Sequence, residues 1–174
     1  IIKTGTEFSS IVTLFQPYRT FENLRPLVKQ TEDQYICNSI GASFFEALRD
    51  AATPTAEEAK AIVLIKKAVA NLCIKSACEV LPVKIAPGGF TTQLSDANEK
   101  PEQGEATASS KQMGLLYTSV KQTGESYLGQ LMEYLNTNAS SSVFTAFFSS
   151  SYYTAPVAAE DVVNNNEDSK IFRM

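Results

Sequence analysis

The chain of 174 residues carries 15 basic and 19 acidic side chains, a formal charge of −4, and no histidine. Its hydrophobic fraction of 44% and charged fraction of 20% exclude global disorder, and the length suits one domain whose core removes roughly 70% of the unfolded surface from water. The acidic balance speaks against tight binding to a phosphate backbone. The missing histidine removes the commonest general base, the Ser-His and Cys-His nucleophile pairs and most zinc patterns, leaving Lys, Asp and Glu as chemistry-bearing groups.

Cys37, Cys73 and Cys78 are odd in number and irregular in spacing, so they read as free thiols of a reducing compartment and not as a disulfide framework. No run approaches the roughly 18–20 apolar residues of a membrane span. Ile1 to Phe15 lacks the charged-then-apolar layout of a signal peptide.

In chain order, residues 1–20 are expected to form an irregular N-terminal arm, because Gly5, Pro17 and many hydroxyl residues break any period. A first helix is expected over 21–39, with Leu24, Leu27, Val28, Thr31, Tyr35 and Ile36 on one face, Pro26 in its first turn and Gly41 as its stop. A second, over 44–52, has Ser43 and Glu46 at capping-box spacing and buries Phe44, Phe45 and Leu48. The third helix, 55–81, starts with Thr55 and Glu58 at the same spacing. Its stripe of Ile62, Ile65, Val69, Leu72, Cys73, Ser76 and Val80 ends at Pro82; about 27 residues give a rod of roughly 40 Å.

Residues 83–95 alternate around Ala86-Pro87-Gly88-Gly89 and read as a short β-hairpin or a long loop with hairpin character, within a connection of residues 83–108 whose later part is polar and acidic. A fourth helix, 109–136, carries the stripe Met113, Leu116, Tyr117, Val120, Gly124, Tyr127, Leu128, Leu131 and Leu135. Gly124 and Gly129 lower its propensity, and a glycine on the stripe admits close approach of another helix. From Ser140 to Tyr153 serines mix with five aromatics, with room for one or two helical turns. Asn164 to Asp168 is polar, while Ile171-Phe172 is apolar enough to need a surface to dock on. The fold class expected is mainly all-α: a four-to-five-helix bundle with two long antiparallel helices, a hairpin insert and extended arms at 1–20 and 139–174.

Several features have plain structural readings. Gly88-Gly89 lacks the Gly-Lys-Ser/Thr ending of a phosphate loop and is a turn. Glu57 and Glu58 suit the first turn of a helix dipole, and Lys66 and Lys67 suit a solvated face. Tyr117, Tyr127 and Tyr134 lack the basic groove that base stacking needs, so they belong to a core or interface. The apolar residues of the two arms are harder to explain in a monomer and are typical of chains that assemble.

The order of Ile2-Lys3-Thr4, Glu7-Phe8, Leu24-Arg25-Pro26-Leu27-Val28, Glu32, Tyr35-Ile36, Ile40-Gly41, Phe44-Phe45-Glu46-Ala47-Leu48 and Gln130-Leu131-Met132-Glu133-Tyr134-Leu135 resembles a family of phage and prophage proteins from Bacteroidetes. That family in turn resembles the head–tail connector, or adaptor, proteins of tailed phages. The resemblance covers about residues 1–138, and the serine- and aromatic-rich end departs from it.

It implies a structural protein of the virion neck, made in the host cytoplasm, with no catalytic residues, cofactor, metal or membrane. Its partners would be copies of itself in a ring, twelve-fold by analogy, the portal, and neighbouring neck or tail proteins, with packaged DNA passing through the lumen. The expected interface residues are Ile2, Phe8, Phe15, Phe90, Leu94, Phe144, Phe147, Phe148, Ile171 and Phe172. Asp96, Glu99, Glu102 and Glu105 are candidates to face the channel. The alternative is a cytoplasmic helical adaptor or regulator acting as monomer or dimer.

Overall fold

The computed structural model describes the backbone of residues 1–14, 17–80, 83–86, 89–92 and 110–156. The fold is mainly helical. Its helices are α1 (Gly5–Ser9), α2 (Pro17–Thr31), a π-helical stretch (Glu32–Cys37), α3 (Asn38–Ile40), α4 (Ala42–Asp50), α5 (Ala56–Val80), α6 (Ser110–Asn138) and α7 (Thr145–Phe148). Val83–Ala86 (β1) and Gly89–Thr92 (β2) pair antiparallel, Val83 opposite Thr92 and Ala86 opposite Gly89.

The start of the chain is irregular at residues 1–4 and 10–14 but not throughout: it holds the short helix α1, and α2 already begins at Pro17. The Glu7 amide donates to Thr4 Oγ1 at 3.2 Å, and the Lys3 amide donates to Glu7 Oε2 at 2.8 Å. This side-chain cap nucleates α1 despite Gly5, because it satisfies donors that a helix start leaves orphaned. Phe8, on α1, has no exposed surface and meets Phe21 of α2 ring to ring at 5.9 Å. Lys66 of α5 pairs with the Glu7 carboxylate. Burial works to raise the Glu7 pKa, but the Lys66 hydrogen bond and the Lys3 amide outweigh it and hold the carboxyl below its usual range.

Helix α2 begins at Pro17, earlier than the sequence suggests, so Pro26 lies in a helix interior and not in a first turn. The residue with the preorganised φ for a helix start is Pro17; Pro26 removes one ladder hydrogen bond. The helix continues through Glu32–Cys37 with π geometry. Thr31 and Glu32 are both buried there, and the Ile1 nitrogen lies 2.5 Å from Glu32 Oε1. Gly41, at φ 87°, separates α3 from α4. It also serves as the N-cap of α4, which has no side-chain cap bond, so Ser43 and Glu46 are not a capping box. At α5 the box is complete: the Thr55 amide donates to Glu58 Oε2 at 2.8 Å and the Glu58 amide to Thr55 Oγ1 at 3.2 Å.

Helices α5 and α6 run antiparallel, as their contacts show: Glu79 meets Tyr117, Leu72 meets Gly124, and Lys60 meets Tyr134. The core sits between this pair and α1, α2, the π stretch and α4. Ile65, Val69, Leu72 and Cys73 from α5 are buried in it, with Leu131 and Leu135 from α6. Gly124 permits the helices to touch, because a Cβ there would stand 2.7–2.8 Å from the Leu72 side chain. Gly129 has nothing within 4 Å of that position.

Three lysines of α5 lie over tyrosines of α6: Lys60 over Tyr134 at 4.8 Å, Lys67 over Tyr127 at 5.3 Å, and Lys75 over Tyr117 at 5.9 Å. The tyrosines therefore line the seam of the pair. Nor are Lys66 and Lys67 simply a solvated face: both are half-buried, one tied to Glu7 and the other to Tyr127.

The two glycines give opposite expectations. Gly124→Ala should destabilise the fold by about 1–3 kcal/mol through overpacking on Leu72. Gly129→Ala should stabilise it by about 0.5–1 kcal/mol through helix propensity. Urea unfolding of the two variants measures both, and equal stability of Gly124→Ala and parent would mean that Leu72 does not set the spacing.

Candidate interaction surfaces

The residues expected to reach neighbours divide into three groups. Ile2 and Phe8 are 6% and 0% exposed, and Phe144 and Phe147 are 7% and 0% exposed. These four are core residues of their own chain and not a free interface, because residues 1–14 and 139–156 pack against the bundle. Phe148 remains partly open at 38%. Phe15, Leu94, Ile171, Phe172 and the acidic set Asp96, Glu99, Glu102 and Glu105 lie outside the described residues, and Phe90 is placed only by its backbone in β2.

The C-terminal segment from Ala139 to Pro156 is a strap. Phe44 of α4 meets Phe144 at 5.8 Å and Phe147 at 5.4 Å, and Tyr134 of α6 meets Phe144 at 6.1 Å. Tyr153 packs on Phe147 and Phe148 at 6.2 and 4.8 Å. The serines that separate these aromatics make the turns. Ser140 Oγ accepts from the Val143 amide at 3.1 Å, Ser150 Oγ donates to the Phe147 carbonyl at 2.7 Å, and Ser150 Oγ accepts from the Tyr152 amide at 3.2 Å. The Thr154 amide donates to Asn136 Oδ1 at 3.0 Å and pins the far end to α6.

Phe144 adopts a left-handed conformation, φ 53° and ψ 42°, which a bulky side chain takes only when surrounding contacts compel it. Tyr152 lies on Gly41, where a Cβ would approach the ring to 3.0 Å.

Unpartnered apolar surface lies elsewhere. At the free end of the α5/α6 pair Val80, Leu115 and Leu116 are 51%, 64% and 43% exposed. Leu116 and Val80 continue the apolar stripes of their helices and are nonetheless exposed. Periodicity gave the face and could not give the end of its cover. Below this tip Lys75 Nζ contacts Tyr35 Oη at 3.1 Å and Glu79 Oε1 at 3.1 Å, while the Tyr117 hydroxyl donates to Glu79 Oε1 at 3.1 Å. The hydrogen bond with Tyr35 is the main reason the Lys75 pKa lies above its ordinary value.

At the other end of the pair, a surface groove of about 340 Å³ opens between Lys60 and Leu64 of α5 and Gln130, Glu133 and Tyr134 of α6. Cys73 is buried, and burial pushes its thiol pKa up to about 12. Cys37 and Cys78 are half-buried, and all three are free thiols. Among the described residues no group of three or more Cys, Asp or Glu could hold a metal ion, and no helix is long and apolar enough to cross a membrane.

The strap is expected to be an integral part of the fold. Phe147→Ala should destabilise it by about 3–5 kcal/mol, read by denaturant unfolding. A loss under about 1 kcal/mol would mean the strap is a detachable cover.

The model of a family of unknown function (DUF6712) matches residues 29–157, about three quarters of the chain. No curated protein and no solved structure matches the chain.

Proposed function

The chain belongs to the DUF6712 family, and we propose that it is a structural protein of a phage neck: a connector subunit that forms a ring beneath the portal and links it to the next neck or tail component. In this reading the fold is a connector-like helical bundle, the segment 83–108 is an insert that engages a neighbouring subunit, and the acidic residues Asp96, Glu99, Glu102 and Glu105 face a lumen through which DNA passes. Twelve-fold symmetry is the expected ring number. The protein has no catalytic role and carries no cofactor, and it acts in the virion after synthesis in the host cytoplasm.

The observation that most supports this is the tip of the α5/α6 pair. The facing ends of two long helices expose Val80, Leu115 and Leu116, and the paired strands β1 and β2 follow α5 in the chain. A lone two-stranded sheet is marginal in water, and a cluster of uncovered apolar side chains is the usual mark of a protein contact. The ordered resemblance to phage proteins over residues 1–138 and the acidic balance agree with it, since an acidic wall repels phosphates within roughly 8–10 Å.

Replacing residues 83–105 by a short Gly-Ser link tests the reading. The shortened subunit is expected to fold, by circular dichroism and unfolding, and to be missing from assembled necks in particle images. Normal incorporation and normal infectivity would overturn it, as would a gene position remote from portal and tail genes.

A further inference from the structure

The outer face of α6 has a symmetry that its own fold does not require. Lys111, Leu115, Thr118, Gln122, Ser126, Gly129 and Glu133 recur at steps of four and three residues, which places them on one side of the helix. All seven are exposed. The stripe is centred on Gln122: Thr118 and Ser126 lie four residues to either side, Leu115 and Gly129 seven, and Lys111 and Glu133 eleven.

Two helices packed antiparallel about a two-fold axis at Gln122 would therefore set Lys111 against Glu133, Leu115 against Gly129 and Thr118 against Ser126, each contact made twice. A two-fold contact demands such self-complementarity. The span from Lys111 to Glu133 is roughly 33 Å of helix.

Three features of the stripe have no explanation within one chain. Leu115 is 64% exposed. Gly129 weakens the helix although nothing stands within 4 Å of where its Cβ would be, unlike Gly124, which Leu72 requires. Lys111 lies in the first turn of α6 and Glu133 toward its end. Lys111 sits at the helix pole that its charge disfavours, and neither Lys111 nor Glu133 has an ion-pair partner among the described residues. An antiparallel second copy resolves all three: it brings a carboxylate and a negative helix end to Lys111, a cation and a positive helix end to Glu133, and a notch for Leu115.

We propose that this face of α6 docks a second copy of the same chain, antiparallel, with Gln122 at the two-fold axis. The pairing does not depend on the neck reading, because a closed ring is built from head-to-tail contacts and this contact is isologous. With one large apolar side chain per copy, the association is weak, with a dissociation constant of roughly micromolar to millimolar.

The test uses the full chain, with sedimentation across a concentration series and oxidative cross-linking of Gln122→Cys. The parent is expected to show a concentration-dependent dimer. Lys111→Glu should weaken it about tenfold by opposing like charges at both ends, and Lys111→Glu with Glu133→Lys should restore it. Gly129→Trp should abolish it while leaving the circular dichroism of the subunit intact and its stability no lower than the parent's, because the position faces open space. Gln122→Cys should cross-link faster than the parent chain and lose that advantage when Gly129→Trp is added. A parent that stays monomeric at millimolar concentration, a charge swap that fails to restore the dimer, or Gln122→Cys cross-linking no faster than the parent would each overturn the proposal. A ring that assembles normally with Gly129→Trp present leaves the neck reading standing, and loss of the ring in the shortened variant leaves this one standing.

Discussion

The contact of Leu72 with the backbone of α6 at Gly124 fixes how closely the two long helices approach, and the rest of the molecule is arranged around that spacing. Side chains at ordinary helix contacts hold axes roughly 8–10 Å apart. Removing one Cβ lets Leu72 reach the partner helix. At that spacing the lysines of α5 lie over the tyrosines of α6, three times along the seam. The opposite side of α5 is then free to take α2, whose Leu24 carbonyl accepts the Cys73 thiol at 3.9 Å. Sequence, packing and electrostatics agree here: one glycine, one leucine and a set of Lys–Tyr pairs define a single register.

The ends of the chain follow a related logic. Each carries aromatic residues that look surplus in a list and prove to be the lids of the core. Phe8 closes the side against α2, and Phe144 and Phe147 close the end against Phe44. Among the described residues, the exposed large apolar side chains are those of the helix-pair tip, Phe148 and Tyr152 on the strap, and the isolated Tyr18 and Val63. The outer face of α6 is polar and small-residued, so its proposed role rests on complementarity and not on hydrophobic area.

Much of this was legible in the sequence where a local signal and a period coincided. Thr55 and Glu58 announced the start of α5, Gly41 the break before α4, and the stripes of α5 and α6 their facing sides. Local signals mislead where two of them compete at one position. Thr4 and Glu7 have the same spacing as Thr55 and Glu58, but Gly5 obscured it, and burial of Phe8 decides the matter. Pro26 implied a helix start, because a proline inside a helix costs a hydrogen bond; packing of Leu24, Leu27 and Val28 on either side outweighs that cost. Apolar residues without a period, as in the arms, have no local explanation and so suggest an interface. Their partners are distant in sequence, and no local rule finds Phe44 under Phe144. For the surfaces, a period reveals which face is apolar but not how far the covering elements extend, so exposure at Val80 and Leu116 emerged only from the fold.

The three Lys–Tyr pairs have a mechanical consequence. Sliding one helix past the other by a single turn, about 5.4 Å, would separate all three at once and drive Leu72 off Gly124. The pair is therefore stiff to shear, a lever close to 40 Å long by helix rise. One end is the free tip at Val80 and Leu115; the other is Tyr134, whose ring touches Phe144 at the root of the strap. A load applied at the tip would be delivered to the residue held in the left-handed conformation, at the opposite end of the subunit.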